Sequence, residues 1–206
     1  QHDGKVLLLE AGPSDRNWTL KMPAMYGRNC RGGPYNWAFW TVPQKNLNGR
    51  TVYQPRGRVL GGSSSINGMT FVRGHALDFD HWAKLGAAGW SYRDVLPYFK
   101  RSETYTGTPS PYRGSSGPVV IRAGNADHPI NQAFLRAGEE AGYPFTRDYN
   151  GFQQEGFFCY DMNIDHGVRA SSPHAYLRKL DVRDHLTIKT GARVTKIDFD
   201  RLRAVG

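Results

Sequence analysis

The apolar run from Lys5 to Leu9 (K-V-L-L-L) is the feature that most restricts how this chain can fold. A continuous apolar run of this length, bounded by Gly4 and Gly12, is typical of a parallel strand that is buried on both faces. A parallel strand needs a neighbour that is reached through a crossover connection. Because four residues precede the run, the pattern predicts an α/β sheet whose first strand and helix lie outside this sequence.

A second group of strand patterns lies near the other end of the chain. Leu186 to Thr190 (L-T-I-K-T) alternates between apolar and polar residues, and Arg193 to Phe199 does the same. Gly191-Ala192 between them suits a two-residue turn, so the three segments together predict a β-hairpin. The apolar residues 204–206 predict the start of a further strand, and we therefore expect the domain to continue beyond this sequence.

Four segments have helical patterns, and a short strand lies among them at Val119 to Ile121. Ser91 and Asp94 form a predicted capping box, and Asp127 with Pro129 predicts another helix start. The Gly-, Pro- and Ser-rich segment from Thr106 to Gly117 is predicted to be a loop. The predicted helices are Asp78 to Leu85, Ser91 to Arg101, Asp127 to Ala141 and Pro173 to Lys179.

The composition describes a globular chain with a basic surface. Of the 206 residues, 39% are hydrophobic and 13% aromatic, and the formal net charge is +9. Because Lys and Arg are scattered, the charge indicates a solvated surface, and no nucleic-acid partner is expected. Nucleic-acid binding through this charge is a weaker alternative. Cys30 and Cys159 are expected to be free thiols in a reducing compartment, and a single disulfide between them is the alternative. The sequence contains no run of about 18 apolar residues, so no membrane span is predicted.

Glu10 follows the apolar strand directly, in the sequence L-E-A-G. An acidic residue at the end of the second strand of a doubly wound sheet accepts hydrogen bonds from the ribose hydroxyls of a bound dinucleotide. The alternative is an ordinary acidic residue after a strand, and Glu10 alone does not decide between them.

The segment from Gly57 to Thr70 (G-R-V-L-G-G-S-S-S-I-N-G-M-T) carries the strongest functional pattern. Adjacent glycines let backbone N–H groups approach a ligand without an intervening Cβ atom. The hydroxyl residues that follow can start a helix, whose positive end suits a diphosphate. The alternative, a flexible Gly/Ser linker, is opposed by the interleaved apolar residues and by the flanking Arg56 and Arg73.

The segment from Pro55 to Asp80 closely resembles the first signature of the glucose–methanol–choline (GMC) oxidoreductases, and particularly the choline dehydrogenase-like and alcohol dehydrogenase members. The resemblance covers nearly the whole chain. It includes Tyr35-Asn36-Trp37, Val42-Pro43-Gln44, Trp82-Ala83, Gly89-Trp90-Ser91, Leu96 to Lys100, Arg169 to Ser172, Ala175-Tyr176-Leu177 and Thr190 to Val194.

The resemblance implies an α/β fold, namely an incomplete Rossmann-like FAD-binding domain with part of an α+β substrate domain. Residues 1–100 and 159–206 would belong to the FAD-binding domain, and residues 101–158 to the substrate domain. Some relatives attach FAD through a His where this chain has Ile66, so a non-covalent cofactor is expected. The residues implied in FAD binding are Glu10, Ala11, Val59, Leu60, Gly61, Gly62, Ser63, Ser64, Asn67, Gly68, Met69, Thr70 and Val194.

The implied activity is oxidation of choline or another primary alcohol to an aldehyde, with hydride transfer to the flavin and a quinone-like molecule or oxygen as the electron acceptor. The family's G-x-G-x-x-G turn and catalytic His have no counterpart here, and His75, His81 and His174 do not match that His. No catalytic residue is therefore assigned, and the chain alone is expected to be inactive and poorly stable. A non-catalytic flavin-binding remnant is the alternative. The expected location is cytoplasmic, and peripheral association with the inner membrane stays open.

Overall fold

The computed structural model describes residues 4–178 and 185–206. The α-helices of this described part are α1 Trp18–Lys21, α2 Tyr26–Arg31, α3 Ala76–Lys84, α4 Tyr92–Ser102 and α5 Pro129–Glu140. Its strands are β1 Val6–Glu10, β2 Phe39–Trp40, β3 Tyr53–Gln54, β4 Glu103–Tyr105, β5 Val119–Ile121, β6 Ile164–Asp165, β7 Val168–Arg169, β8 Leu186–Thr190, β9 Phe199–Asp200 and β10 Arg203–Ala204. These elements give the mixed helix and strand composition that the α/β assignment predicts.

The chain divides into two compact units. The discontinuous unit consists of Gln1–Gly68 and Ser171–Gly206, and the inserted unit is Met69–Ala170. Sequence reasoning places its boundaries instead after residues 100 and 158. Which of these segments belong to a cofactor domain and which to a substrate domain stays a prediction.

The sheet of the discontinuous unit joins the two ends of the sequence. Strand β1 pairs with β8 in parallel, with Val6 opposite Leu186 and Glu10 opposite Thr190. The predicted strand at 186–190 is confirmed, but the predicted hairpin with 193–199 is wrong. The amide of Gly191 donates to the Gly12 carbonyl and that of Ala192 to the Glu10 carbonyl, so the chain stays beside the end of β1. A hairpin forms later, between β9 and β10.

A small apolar core supports the middle of the discontinuous unit. Leu20, Val59 and Ile66 are between 0% and 2% exposed, and Tyr35 packs against them. Helix α1, with Asn17 as its N-cap, supplies Leu20. Val59 and Ile66 come from the Gly/Ser segment, which is therefore folded structure and not a flexible linker.

Of the two predicted helix caps in the inserted unit, one is confirmed and the other is wrong. Ser91 and Asp94 form the predicted capping box at the start of α4. The predicted cap of α5, Asp127, is wrong, because the His128 side chain accepts the hydrogen bond from the Ile130 amide. Proline at the first helical position makes the residue directly before it the cap, and that residue is His128.

The remaining predicted helices have shifted or shorter bounds. The predicted helix at 78–85 is α3, which begins two residues earlier, at Ala76. The predicted helix at 173–179 is a single π-helical turn, Pro173–Leu177, and its predicted end at Lys179 lies outside the described residues. No helix in the described ranges is long and apolar enough to cross a bilayer.

Two small sheets organise the rest of the inserted unit. Strands β4 and β5 pair in parallel, and β6 and β7 form an antiparallel hairpin. Helices α3 and α4 share an aromatic cluster in which the Phe79 ring centroid lies 5.3 Å from that of Trp82 and 5.5 Å from that of Phe99. The predicted loop at 106–117 contains no helix or strand.

Candidate functional site

Glu10 lies at the carboxyl end of β1, where sheets of this type bind their ligands. Its Oε1 accepts a hydrogen bond from the Gly12 amide at 2.6 Å. This contact fixes the carboxylate beside the turn that leaves the strand. Ala11, the next predicted residue, is half-buried within the same turn.

Gly12 brings this turn into contact with the Gly/Ser segment. A Cβ atom added to Gly12 would lie 2.0 Å from the Arg58 carbonyl oxygen, so a larger residue cannot occupy the position. The Leu60 amide donates to the Pro13 carbonyl at 3.0 Å. The end of β1 and the start of the Gly/Ser segment are therefore in direct backbone contact.

The Gly/Ser segment forms a tight bend that its own hydroxyl groups stabilise. Gly61 and Gly62 have φ of 90° and 54°, and the 3₁₀ helix Gly62–Ser65 follows. The Ser64 hydroxyl donates to the Gly61 carbonyl, and the Ser65 hydroxyl donates to the Leu60 carbonyl at 2.8 Å. The Ser63 hydroxyl accepts from the Gly57 amide.

Most backbone amides of the bend donate to acceptors within the protein. The amides of Leu60, Gly62, Ser64 and Asn67 donate to backbone carbonyls between residues 13 and 63. In the described part of the chain, the Gly61 and Ser63 amides have no such acceptor. An added Cβ at Gly62 would meet nothing within 4 Å. The bend therefore offers an open surface with two unused donors.

Val194 belongs to a third segment at the same place. Its side chain is 56% exposed, and it lies two residues after Ala192, whose amide donates to the Glu10 carbonyl at 2.9 Å. The structure thus brings together the turn after β1, the Gly/Ser bend and the segment after β8. These are the three parts of the discontinuous unit that contain predicted cofactor residues.

The other predicted residues have distinct environments. Val59 and Leu60 point their side chains into buried positions, so any ligand would meet their backbone. Asn67 is exposed and Gly68 half-buried at the end of the discontinuous unit. Met69 and Thr70 belong to the inserted unit. Met69 is 1% exposed, and Thr70 forms an isolated antiparallel β-bridge with Met162.

A cavity of about 800 Å³ lies beside these segments in the discontinuous unit. Leu186, Ile188 and Thr190 of β8 line one side, and Leu60 and Pro173 line another. The ion pair between Arg178 and Asp15, with a distance of 2.5 Å, contributes two further lining residues.

The inserted unit contains a buried ionic cluster that sequence reasoning missed. Glu103, which is 0% exposed, accepts hydrogen bonds from Arg73 at 2.6 Å and from Arg113 at 3.0 Å. Arg113 also pairs with Asp148 at 2.7 Å and with Asp161 at 2.9 Å. Arg73 and Glu103 are 30 residues apart and Arg113 and Asp161 are 48 apart, so no local spacing could have revealed the cluster.

The cluster shifts the pKa values of its neighbours. Burial, followed by the charge of Asp161, raises the pKa of Tyr105 to about 12. The same causes raise the pKa of Tyr149, whose hydroxyl donates to the Phe71 carbonyl. Burial lowers the pKa of Arg113, but its hydrogen bond to Asp161 and the three surrounding carboxylates raise it by more. Arg113 therefore stays protonated over the physiological range, and the ion pairs that it forms hold together segments of the inserted unit.

His75 also has a structural position. Its Nδ1 accepts from the Leu77 amide as the cap of α3, and its Nε2 lies 2.9 Å from Glu155. The exposed Glu155 carboxylate has a lowered pKa, caused by its own backbone amide and then by His75.

Sequence comparison finds close relatives over nearly the whole chain. The chain is 48% identical over 203 residues to the oxygen-dependent choline dehydrogenase of Photobacterium profundum, covering 98% of this chain and 36% of the relative. It is 46% identical over 209 residues to the mitochondrial choline dehydrogenase of Homo sapiens, covering 98% of this chain and 35% of the relative. The chain therefore spans about a third of the length of the curated relatives it matches.

Solved structures give the same result for the fold. Pyridoxine 4-oxidase from Mesorbium loti superposes with a TM-score of 0.89 at 31% identity, covering 96% of this chain and 39% of that one. An FAD-dependent oxidoreductase from Chaetomium thermophilum superposes with a TM-score of 0.84 at 33% identity, covering 98% of this chain and 37% of that one. The sequence profile of the GMC oxidoreductases matches residues 16–206. The bend, the strand pair and these similarities agree, and the chain belongs to the GMC oxidoreductase family.

Proposed function

We propose that the full-length protein is an FAD-dependent oxidoreductase that acts on the CH–OH group of a small primary alcohol, with choline as the first candidate. The observation that carries this proposal is the convergence of three predicted cofactor segments around Glu10, Gly12 and Gly61. The names of the relatives, which include choline dehydrogenases and FAD-dependent enzymes, support the choice of substrate and cofactor.

The residues present fit an adenine dinucleotide. Glu10 has a second carboxylate oxygen beyond the one that accepts from Gly12, and a carboxylate suits a ribose diol. The Gly61 and Ser63 amides are available to a diphosphate beside an open Gly62. When bound, FAD would supply the acceptor for a hydride from the alcohol carbon.

We propose that the cofactor is not covalently attached. Ile66 is 2% exposed and packs with Leu20 and Val59, and its hydrocarbon side chain has no atom that can form a bond to a flavin. The full-length protein, purified yellow, should release its flavin to the supernatant on acid precipitation. Flavin absorbance that stays with the protein pellet would contradict this proposal.

The activity is tested with the full-length protein and a matched pair of alcohols. Choline should bleach the visible flavin absorbance under anaerobic conditions. The neutral isostere 3,3-dimethylbutan-1-ol should do so less efficiently, because it lacks the cationic charge. A full-length protein that purifies colourless and takes up no FAD would refute the function and would support a non-catalytic remnant.

We propose oxygen as the electron acceptor, and a quinone-like molecule as the alternative. The relative from Photobacterium profundum is named as oxygen-dependent, which supports oxygen. Stopped-flow reoxidation of the reduced full-length protein separates the two, because an oxidase reoxidises rapidly with dissolved oxygen and a quinone-dependent enzyme requires the added quinone.

We propose a cytoplasmic location, since no disulfide joins Cys30 and Cys159 in the described residues and reduced thiols suit a reducing compartment. Cell fractionation tests this location. Recovery in the membrane pellet, with release by high salt, would instead show peripheral association through the basic surface.

A further inference from the structure

Two arginines share one aromatic ring beside the predicted cofactor segments. The Cζ atoms of Arg58 and Arg193 lie over the Trp37 ring, 5.4 Å and 5.3 Å from its centroid. The two Cζ atoms are therefore no farther apart than 10.7 Å, the sum of these distances. The two positive charges repel each other, and the attraction of each one to the ring offsets part of that repulsion.

The backbone holds this stack in a fixed position. The Trp37 amide donates to the Arg56 carbonyl and the Arg58 amide to the Tyr35 carbonyl, both at 2.8 Å. Between them, the buried Asn36 side chain accepts from the amides of Ala38 and Arg56. Trp37 and Arg58 thus lie on two paired segments, so their side chains share one surface.

Arg193 reaches Trp37 from the segment after β8. The residues directly before it, Gly191 and Ala192, donate their amides to the carbonyls of Gly12 and Glu10. Arg58 is equally close to that turn, because an added Cβ on Gly12 would touch its carbonyl. Both guanidinium groups therefore come from segments that border the proposed dinucleotide site.

Trp37 and Arg58 belong to a basic stretch of the sequence. From residue 16 to residue 77 the sequence contains nine Lys and Arg residues and no Asp or Glu. Within the described ranges, neither Arg58 nor Arg193 forms an ion pair, and both side chains are exposed. Glu10, the nearby acid, directs one oxygen at the Gly12 amide. An anion at the stack would relieve the repulsion between the two guanidinium groups.

We propose that Arg58 and Arg193, supported by Trp37, form an anion clamp that binds the diphosphate of the flavin dinucleotide. The inference rests on the proposed function and deepens it, since it assigns the charge recognition of the cofactor to residues of this chain. Guanidinium groups match phosphate oxygens with two parallel hydrogen bonds. The unused amides of Gly61 and Ser63 follow Arg58 in the same segment and add neutral donors to the proposed site.

The test measures cofactor affinity in the full-length protein after its flavin has been removed. Fluorescence titration gives the Kd for FAD and for riboflavin, which lacks both phosphates. Arg58→Gln and Arg193→Gln should each weaken FAD binding by about tenfold, as for loss of a charge-assisted hydrogen bond. Neither change should alter the riboflavin Kd by more than about twofold, since no phosphate contact is lost.

Arg50→Gln is the matched control, because it removes the same charge from an exposed arginine whose side chain donates to the Leu47 carbonyl. It should leave FAD binding unchanged. Equal weakening by Arg50→Gln would show a diffuse charge effect and would overturn the clamp. So would a double variant, Arg58→Gln with Arg193→Gln, that binds FAD as tightly as the original protein.

A measurement on the unaltered protein keeps the proposal testable if the variants fail to fold. The FAD Kd should rise with salt concentration while the riboflavin Kd stays constant, because screening weakens a phosphate contact. A salt-independent FAD Kd would overturn the clamp. A protein that binds no FAD at all would refute the proposed function itself, so the two failures are distinguishable.

Discussion

At the scale of single residues, the two adjacent glycines of the bend have different reasons to be glycine. Both have positive φ, 90° at Gly61 and 54° at Gly62. A Cβ added to Gly61 would lie 2.4 Å from Pro173 Cδ, whereas one added to Gly62 would meet nothing within 4 Å. Gly61 is therefore required by conformation and by space, and Gly62 by conformation alone.

This difference predicts unequal losses of stability. Gly62→Ala should lower the free energy of unfolding by about 1 kcal/mol, the cost of a left-handed non-glycine residue. Gly61→Ala adds overpacking against Pro173 and should cost about 3 kcal/mol in total. Urea denaturation of the full-length protein measures both changes. Equal midpoints for the two variants would contradict the contact between Gly61 and Pro173.

The buried ionic cluster gives a second prediction for single residues. Arg113→Met would leave the carboxylates of Glu103, Asp148 and Asp161 without their shared partner. Breaking a buried pair in this way should cost about 4 kcal/mol. The control is Lys196→Met, which breaks an exposed pair with Asp198 and should cause no measurable change. Similar denaturation midpoints for the two variants would show that the cluster adds nothing to stability.

At the scale of elements, the sequence predicts what is encoded locally. The strand β1 and the capping box of α4 are confirmed within one residue of their predicted starts. The predicted burial of β1 on both faces is wrong, because Val6, Leu7 and Leu9 are exposed and β1 pairs only with β8 among the described strands. The predicted pairing of β8 with residues 193–199 was wrong. Strand β8 pairs in parallel with β1, with Leu186 opposite Val6, and no local pattern indicates such a distant neighbour. The Gly/Ser bend could be recognised because its residues are contiguous in the sequence. The ionic cluster was missed because its residues are far apart in the sequence.

The capping box of α4 can be tested directly. The Ser91 hydroxyl accepts from the Asp94 amide, and the Asp94 carboxylate accepts from the Ser91 amide. Ser91→Ala should lower the free energy of unfolding by about 1 kcal/mol through the lost cap. Ser116→Ala, at an exposed position between β4 and β5, is the control and should have no effect. Thermal denaturation of the full-length variants measures the difference.

At the scale of the whole molecule, many large apolar side chains of the described residues are exposed. They include Leu7 and Leu9 of β1 and Trp40 of β2. Much of this apolar surface requires cover that the described residues do not provide.

The chain in isolation should therefore melt without a sharp transition and should bind a hydrophobic dye such as ANS. Calorimetry and dye fluorescence measure both properties, with the full-length protein as the control. A sharp cooperative melt of the 206-residue chain, with no dye binding, would contradict the prediction.

The pairing of β1 with β8 also determines the order in which the two units can form during synthesis. The inserted unit is contiguous from Met69 to Ala170, so it can fold as soon as that stretch has left the ribosome. The parallel pair cannot begin to form before Leu186 emerges. Because a folded insert shortens the loop that this pairing has to close, early folding of the insert would bring the distant strands of the nascent protein together.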